Sequence, residues 1–161
     1  MSADISGWVD RLNAVEARLQ AMAVPRRGFT AADPDTGERW EAGQVWGHLA
    51  EFIQYWTAQV GDVIDAFQGE PVPFGRARDD PGRAAGIALG TRTPLPTLWE
   101  EVRSDLADLR NLLRALPDGW EKAVGLHPRL GRVPTPRIFE DFLVSHLEEH
   151  AAQLEQLSGD G

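Results

Sequence analysis

Apolar residues recur every three or four positions along four long stretches of this chain, and nowhere do they alternate well enough to suggest a strand. The first stripe reads Ile5, Trp8, Val9, Leu12, Val15, Leu19 and Met22, with Ser6 as a candidate cap and "VPRRG" as the stop. The second runs over about residues 42–68 through Val45, Leu49, Phe52, Trp56, Val60, Val63 and Phe67. The third runs over about residues 97–116 through Leu98, Val102, Leu106, Leu109, Leu113 and Leu116, and "PDG" ends it. The fourth opens at "TPR", where Thr135 can cap and Pro136 suits the first helical position, and continues through Phe139, Phe142, Leu143, His146, His150 and Leu154. An amphipathic helix must bury its stripe against a partner. Four of them predict an all-α, single-domain four-helix bundle over residues 1–161.

The connection between the second and third helices, residues 69–96, is broken by "GEPVPFG", "DDPGR" and "TRTPLP" and is read as non-helical. Connections this long are uncommon in a compact domain and are usually functional or a crossover. A crossover able to run the length of the bundle lets helices two and three point the same way. The expected order is therefore up-down-down-up.

Two of only four histidines stand four residues apart in "HLEEH", as His146 and His150. A helical step of four leaves both imidazoles on one face, one turn apart. His48, in "VWGHLAEFIQYW", falls between Val45 and Phe52 on the stripe of helix two. It sits about 9 Å from the start of that helix, and His150 about 10 Å from the end of the last one, so antiparallel packing brings them level. Three buried imidazoles need partners, and a metal satisfies all of them together. Three neutral imidazoles with an open position suit zinc, and also nickel or iron.

"VWGHLAEFIQYW", the proline-rich crossover and "HPRLGRVPTPRIFEDFLVSHLEEHAAQL" together resemble the DinB/YfiT-like superfamily. That group includes the metal-binding domain of mycothiol-dependent maleylpyruvate isomerase and related thiol transferases. The resemblance covers most of the chain and rests on the helix-two histidine and the final H-x-x-x-H-x-x-Q. It implies an up-down-down-up bundle with a three-histidine metal site, which by position is His48, His146 and His150. It also implies a thiol-dependent S-transferase or isomerase using mycothiol or another low-molecular-weight thiol, and makes a homodimer reasonable.

The chain has no cysteine, so disulfides, thiolate ligands and a cysteine nucleophile are excluded, and any thiolate must come from a small molecule. Its formal net charge of −9 opposes general affinity for nucleic acid or anionic membrane. No apolar run approaches the roughly 20 residues that span a bilayer. "MSADISGWVDRL" lacks the form of a signal peptide, so a cytoplasmic protein acting on a small molecule is expected.

Around the histidines, Gln153 and Glu149 are the candidate catalytic residues, one to hydrogen-bond a metal-bound group and one to carry a proton. Glu149 also reads as an ordinary solvated residue. Glu51 is a candidate outer partner for an imidazole. His127 in "GLHPRLG" is assigned to a loop with a structural role, and Tyr55 and Trp56 to the core. Ser145 points off the stripe, so serine catalysis is not expected. Arg76, Arg78, Arg83 and Arg92 gather in one connection and Arg129, Arg132 and Arg137 in the other. They can attract substrate carboxylates, or can simply be solvated and paired with Asp79 and Asp80. Three alternatives to a thiol-dependent enzyme stay open: a metal-dependent hydrolase, a non-catalytic protein in which a metal ties helices together, and a metal-free helical interaction module in which the histidines only pack.

Overall fold

The computed structural model describes residues 4–159. Its first helix, α1 (Ile5–Met22), is capped by Asp4, whose carboxylate accepts from the Gly7 amide, rather than by Ser6. Trp8, Leu12, Val15 and Leu19 form its buried face. Helix α2 (Ala42–Ala66) starts at a reciprocal capping arrangement between Glu41 and Gln44 and buries Val45, Leu49, Phe52, Val60 and Val63. Helix α4 (Leu95–Arg114) buries Leu98, Val102, Leu106, Leu109 and Leu113, the stripe its spacing predicts.

The connection after α2 corrects the sequence reading. It contains a fourth element, α3 (Pro81–Gly90), capped by Asp80 with Pro81 in the first turn. What looks like a glycine-broken loop is a helix pressed flat on α2. Any Cβ on Gly90 would lie 2.1 Å from the Gly43 carbonyl oxygen, and any on Gly47 2.6 Å from the Gly86 oxygen. The glycines remove side chains so that two backbones can touch.

The expectation of no strand is also corrected. Short strands β1 (Arg26–Arg27) and β5 (Ser158–Gly159) pair antiparallel. Strand β2 (Val72–Pro73) runs parallel to β3 (Val124–His127), which forms a hairpin with β4 (Gly131–Pro134). Gly131 closes the hairpin turn with φ +73°, a conformation that favours glycine. The fold is mainly helical with these small sheets added.

The last helix is continuous but not uniform. It opens with α5 (Thr135–Arg137), widens into a π-helical segment (Ile138–Val144) and continues as α6 (Ser145–Gln156). Thr135 is inside the helix and not its cap, its hydroxyl donating to the Trp120 carbonyl, while Pro134 holds the capping position. Such π segments are rare overall and frequent at functional sites.

Side-chain pairs fix directions. His48 meets His150, Phe52 meets His146 and Trp56 meets Phe142, with ring centroids 4.8, 4.5 and 4.7 Å apart, so α2 and the last helix run antiparallel. Arg11 pairs with Glu140 and Glu148, and Arg18 with Glu155, so α1 and the last helix run the same way.

One residue of α4 opposes the fold at neutral pH. Burial first, and then Asp108 and Glu101, raise the Asp105 carboxyl to about 6. Its folded value lies above its unfolded one, so stability is lost as pH rises through this range. Asp105→Asn is expected to stabilise the protein by about 1–2 kcal/mol at pH 7.5. The urea midpoint should rise at that pH and not near pH 4; an unchanged midpoint at pH 7.5 would contradict this.

Candidate metal centre

His48 and His150 are buried, with 3% and 6% of their surfaces exposed. His146 is half-buried and faces a cavity. The Nε2 atoms of His48 and His150 each lie 3.2 Å from Nε2 of His146. One ring nitrogen from each of the three can be chosen so that all lie within 4.8 Å of one another. Ligands about 2.05 Å from a tetrahedral zinc lie about 3.3 Å apart, so the two spacings to His146 are those of a coordination shell.

The outward nitrogens are also engaged. His48 Nδ1 lies 3.0 Å from a Glu51 carboxylate oxygen, His150 Nδ1 lies 2.7 Å from the Gln153 amide oxygen, and His146 Nδ1 lies 3.5 Å from Glu149. An acceptor at Nδ1 holds the proton there and leaves Nε2 bare. The rings of His48 and His150 thus aim bare Nε2 lone pairs at Nε2 of His146, an arrangement that repels itself unless a proton or a cation lies between them. The donor set therefore fits a divalent metal, with imidazoles suited to zinc, nickel or iron. Among the described residues no fourth protein ligand completes this cluster.

Glu51 is anchored from its other side. Arg76 donates to both of its carboxylate oxygens, and the same guanidinium lies 4.0 Å from the centroid of the Tyr55 ring. Burial raises the Glu51 carboxyl while Arg76 opposes that rise. Glu51→Gln removes the charge that polarises His48 and is expected to weaken metal affinity about 10–100-fold with the fold kept. Competition with a chromophoric chelator reads the change, and unchanged affinity would contradict the assigned role.

Burial, first of all, holds the His48 ring down to about 2, with the neighbouring His150 and Arg83 adding to it. Burial likewise holds His150 to about 4, opposed by Gln153, and keeps His146 well below the ordinary histidine range. These folded values lie under the unfolded value of roughly 6.5, so the unfolded chain binds more protons between them. Metal-free protein should be fully stable above about pH 6.5 and lose stability as pH falls toward 4, by up to about 1.4 kcal/mol per pH unit per histidine. Urea unfolding at stepped pH checks this; a flat profile from pH 7 to 4 would contradict it.

The histidines form part of the wall of a cavity of about 680 Å³. Trp40 lies over them, its ring stacked on His150 at 6.1 Å and edge-on to His48 at 5.4 Å. Trp56 and Phe142 line another side, so Trp56 is half pocket wall and not simply core. His127 belongs to β3 rather than a loop; its Nδ1 accepts from the Arg129 and Leu130 amides, which ties the hairpin turn, and its ring also faces the cavity. Ser145 is directed elsewhere, donating to Glu140. Of the arginines, Arg76, Arg78, Arg83 and Arg129 reach the cavity, whereas Arg92, Arg132 and Arg137 do not line it. Arg78 pairs with Asp33, while Arg76 reaches Asp80 at 3.7 Å as well as Glu51. The contribution of Trp40 has no helical periodicity behind it; its one signal is a tryptophan immediately before the α2 cap.

The chain has a DinB-like helical fold. Two solved structures with this fold are the mycothiol-dependent maleylpyruvate isomerase, at TM-score 0.69 and 13% identity, and a histidine-to-alanine mutant of that enzyme, at TM-score 0.70 and 12% identity. The matches cover 96% and 99% of this chain but only 63% and 65% of those chains. No family model and no curated protein matches by sequence. No helix among the described residues is long and apolar enough to cross a membrane.

Proposed function

We propose that this chain is a metal-dependent enzyme domain whose divalent ion is held by His48, His146 and His150, and that it acts with a small-molecule thiol as an S-transferase or isomerase. The observation that carries the reading is the convergence of three imidazoles, two of them hydrogen-bonded on their outward nitrogens, at the wall of an open cavity. A clamp that only joined helices would close its shell with a fourth ligand, whereas three ligands beside a cavity leave a position for substrate. The four long helices are read as an up-down-down-up bundle, supported by the antiparallel α2 pairing and the parallel α1 pairing.

His48, His146 and His150 would hold a divalent metal, which when bound would supply Lewis acidity to bring a thiol or water toward ionisation near neutral pH. The chain's own residues prepare the place for it. Glu51 and Gln153 fix the tautomers of His48 and His150, and Trp40 covers one side of both rings. Gln153 acts mainly through His150, since its amide oxygen is engaged there. Glu149 keeps 72% of its side chain exposed and lines the cavity, which supports a role in exchanging protons with a bound molecule. The thiol reading is supported by the fold shared with a mycothiol-dependent enzyme and by the absence of cysteine in the chain.

The test is consumption of mycothiol by metal-loaded protein with a panel of electrophilic acceptors, followed as loss of free thiol. Turnover that needs the metal and disappears in a folded His48→Ala variant supports the proposal. Metal-dependent ester hydrolysis with no thiol consumption would overturn it in favour of a hydrolase.

A further inference from the structure

Three arginines from one segment enter the cavity, and they differ in one respect. Arg76 is neutralised by Glu51 and Arg78 by Asp33. Arg83 has no carboxylate within ion-pair distance among the described residues, yet it is half-buried in the cavity wall. Its guanidinium donates only to the Arg78 carbonyl, at 3.3 Å, and lies 5.7 Å from the centroid of the Trp40 ring. That ring is the one that covers His48 and His150.

Arg83 is also held in place. Asp80 accepts from its backbone amide at the start of α3, and Gly86 and Gly90 seat that helix directly on α2. A desolvated, unpaired cation on a rigid helix is costly in an empty protein and becomes favourable when an anion enters. We propose that Arg83 is a specificity-determining residue that binds a carboxylate of the substrate, whose flat apolar portion lies on Trp40 beside the histidines. This deepens the proposed function, since it rests on the cavity being an enzyme's substrate pocket. The planar guanidinium fork matches a carboxylate in two parallel hydrogen bonds. A phosphate dianion fits less well, because Glu38, Asp141 and Glu149 line the same cavity.

The probe is benzoate, compared with neutral benzamide and with phenyl phosphate, titrated into metal-free protein at constant ionic strength. Tryptophan fluorescence and the Arg83 Nε–H resonance report binding. Leaving out metal separates this test from the metal reading, which zinc uptake by the same preparation decides. Benzoate should bind saturably, shift the Arg83 resonance and bind more tightly than either comparison ligand. Arg83→Gln should weaken benzoate about tenfold or more while leaving benzamide and zinc uptake unchanged. Arg83→Lys, which keeps charge but not the fork, should fall between. Absence of saturable benzoate binding, equal affinity for benzamide, or an unshifted Arg83 resonance would each overturn the proposal. Tighter binding of phenyl phosphate would overturn the carboxylate assignment.

Discussion

His48→Ala should leave a folded protein that no longer retains a metal ion through chelation and gel filtration. Losing an outer partner costs roughly 10–100-fold in affinity, and losing one of three direct ligands should cost more than about a hundredfold. The fold should survive because His48 contributes no ion pair to a distant element; its partner Glu51 is on the same helix and is itself held by Arg76. Removing a buried ring that must stay neutral also removes a source of acid sensitivity, so the variant should be less destabilised than metal-free wild type as pH falls below about 6.5. Elemental analysis together with circular dichroism checks both parts. A folded variant that keeps a full equivalent of metal would exclude His48 as a ligand.

Gly90→Ala carries the largest expected effect on stability. The added Cβ would meet the Gly43 carbonyl oxygen at 2.1 Å and the Gly47 backbone at 2.6 Å, and neither is the end of a flexible side chain. Helix α3 must separate from α2, at a cost of about 3 kcal/mol or more. Gly86→Ala makes a graded control, because its Cβ meets the Glu51 side chain at 2.6 Å and not backbone. It should perturb the Glu51 support of His48, and so metal affinity, more than global stability. Urea unfolding distinguishes the two, and an unchanged midpoint for Gly90→Ala would show that the helices do not pack in this way.

The histidine cluster was readable in the sequence because its members sit on helices that obey a simple period. His48 between Val45 and Phe52, and His146 with His150, share the apolar stripes that pack together, so periodicity alone aims them at one interior. The core of α4 was legible for the same reason. Helix α3 was not, because Gly82, Gly86 and Gly90 lower helix propensity and stand among prolines. Their spacing of four is instead the mark of a helix packed against another at backbone distance. The β3–β4 hairpin was hidden by its length, since four residues per strand give too little alternation to stand out. Trp40 and the unpaired state of Arg83 depend on where loops close in space, which no local pattern records. The π-helical segment leaves no obvious trace either, though it carries Phe142 into the cavity one turn before His146.

The atoms around a bound zinc ion decide whether His48, His146 and His150 form a metal centre. Zinc K-edge absorption of untagged protein loaded with one equivalent of zinc measures that shell directly. The expected spectrum has three imidazole nitrogens at about 2.0–2.1 Å and one non-protein oxygen ligand completing a four-coordinate site. Failure to take up one equivalent, or a shell without imidazole scattering, would contradict the three-histidine centre and the enzyme reading that depends on it.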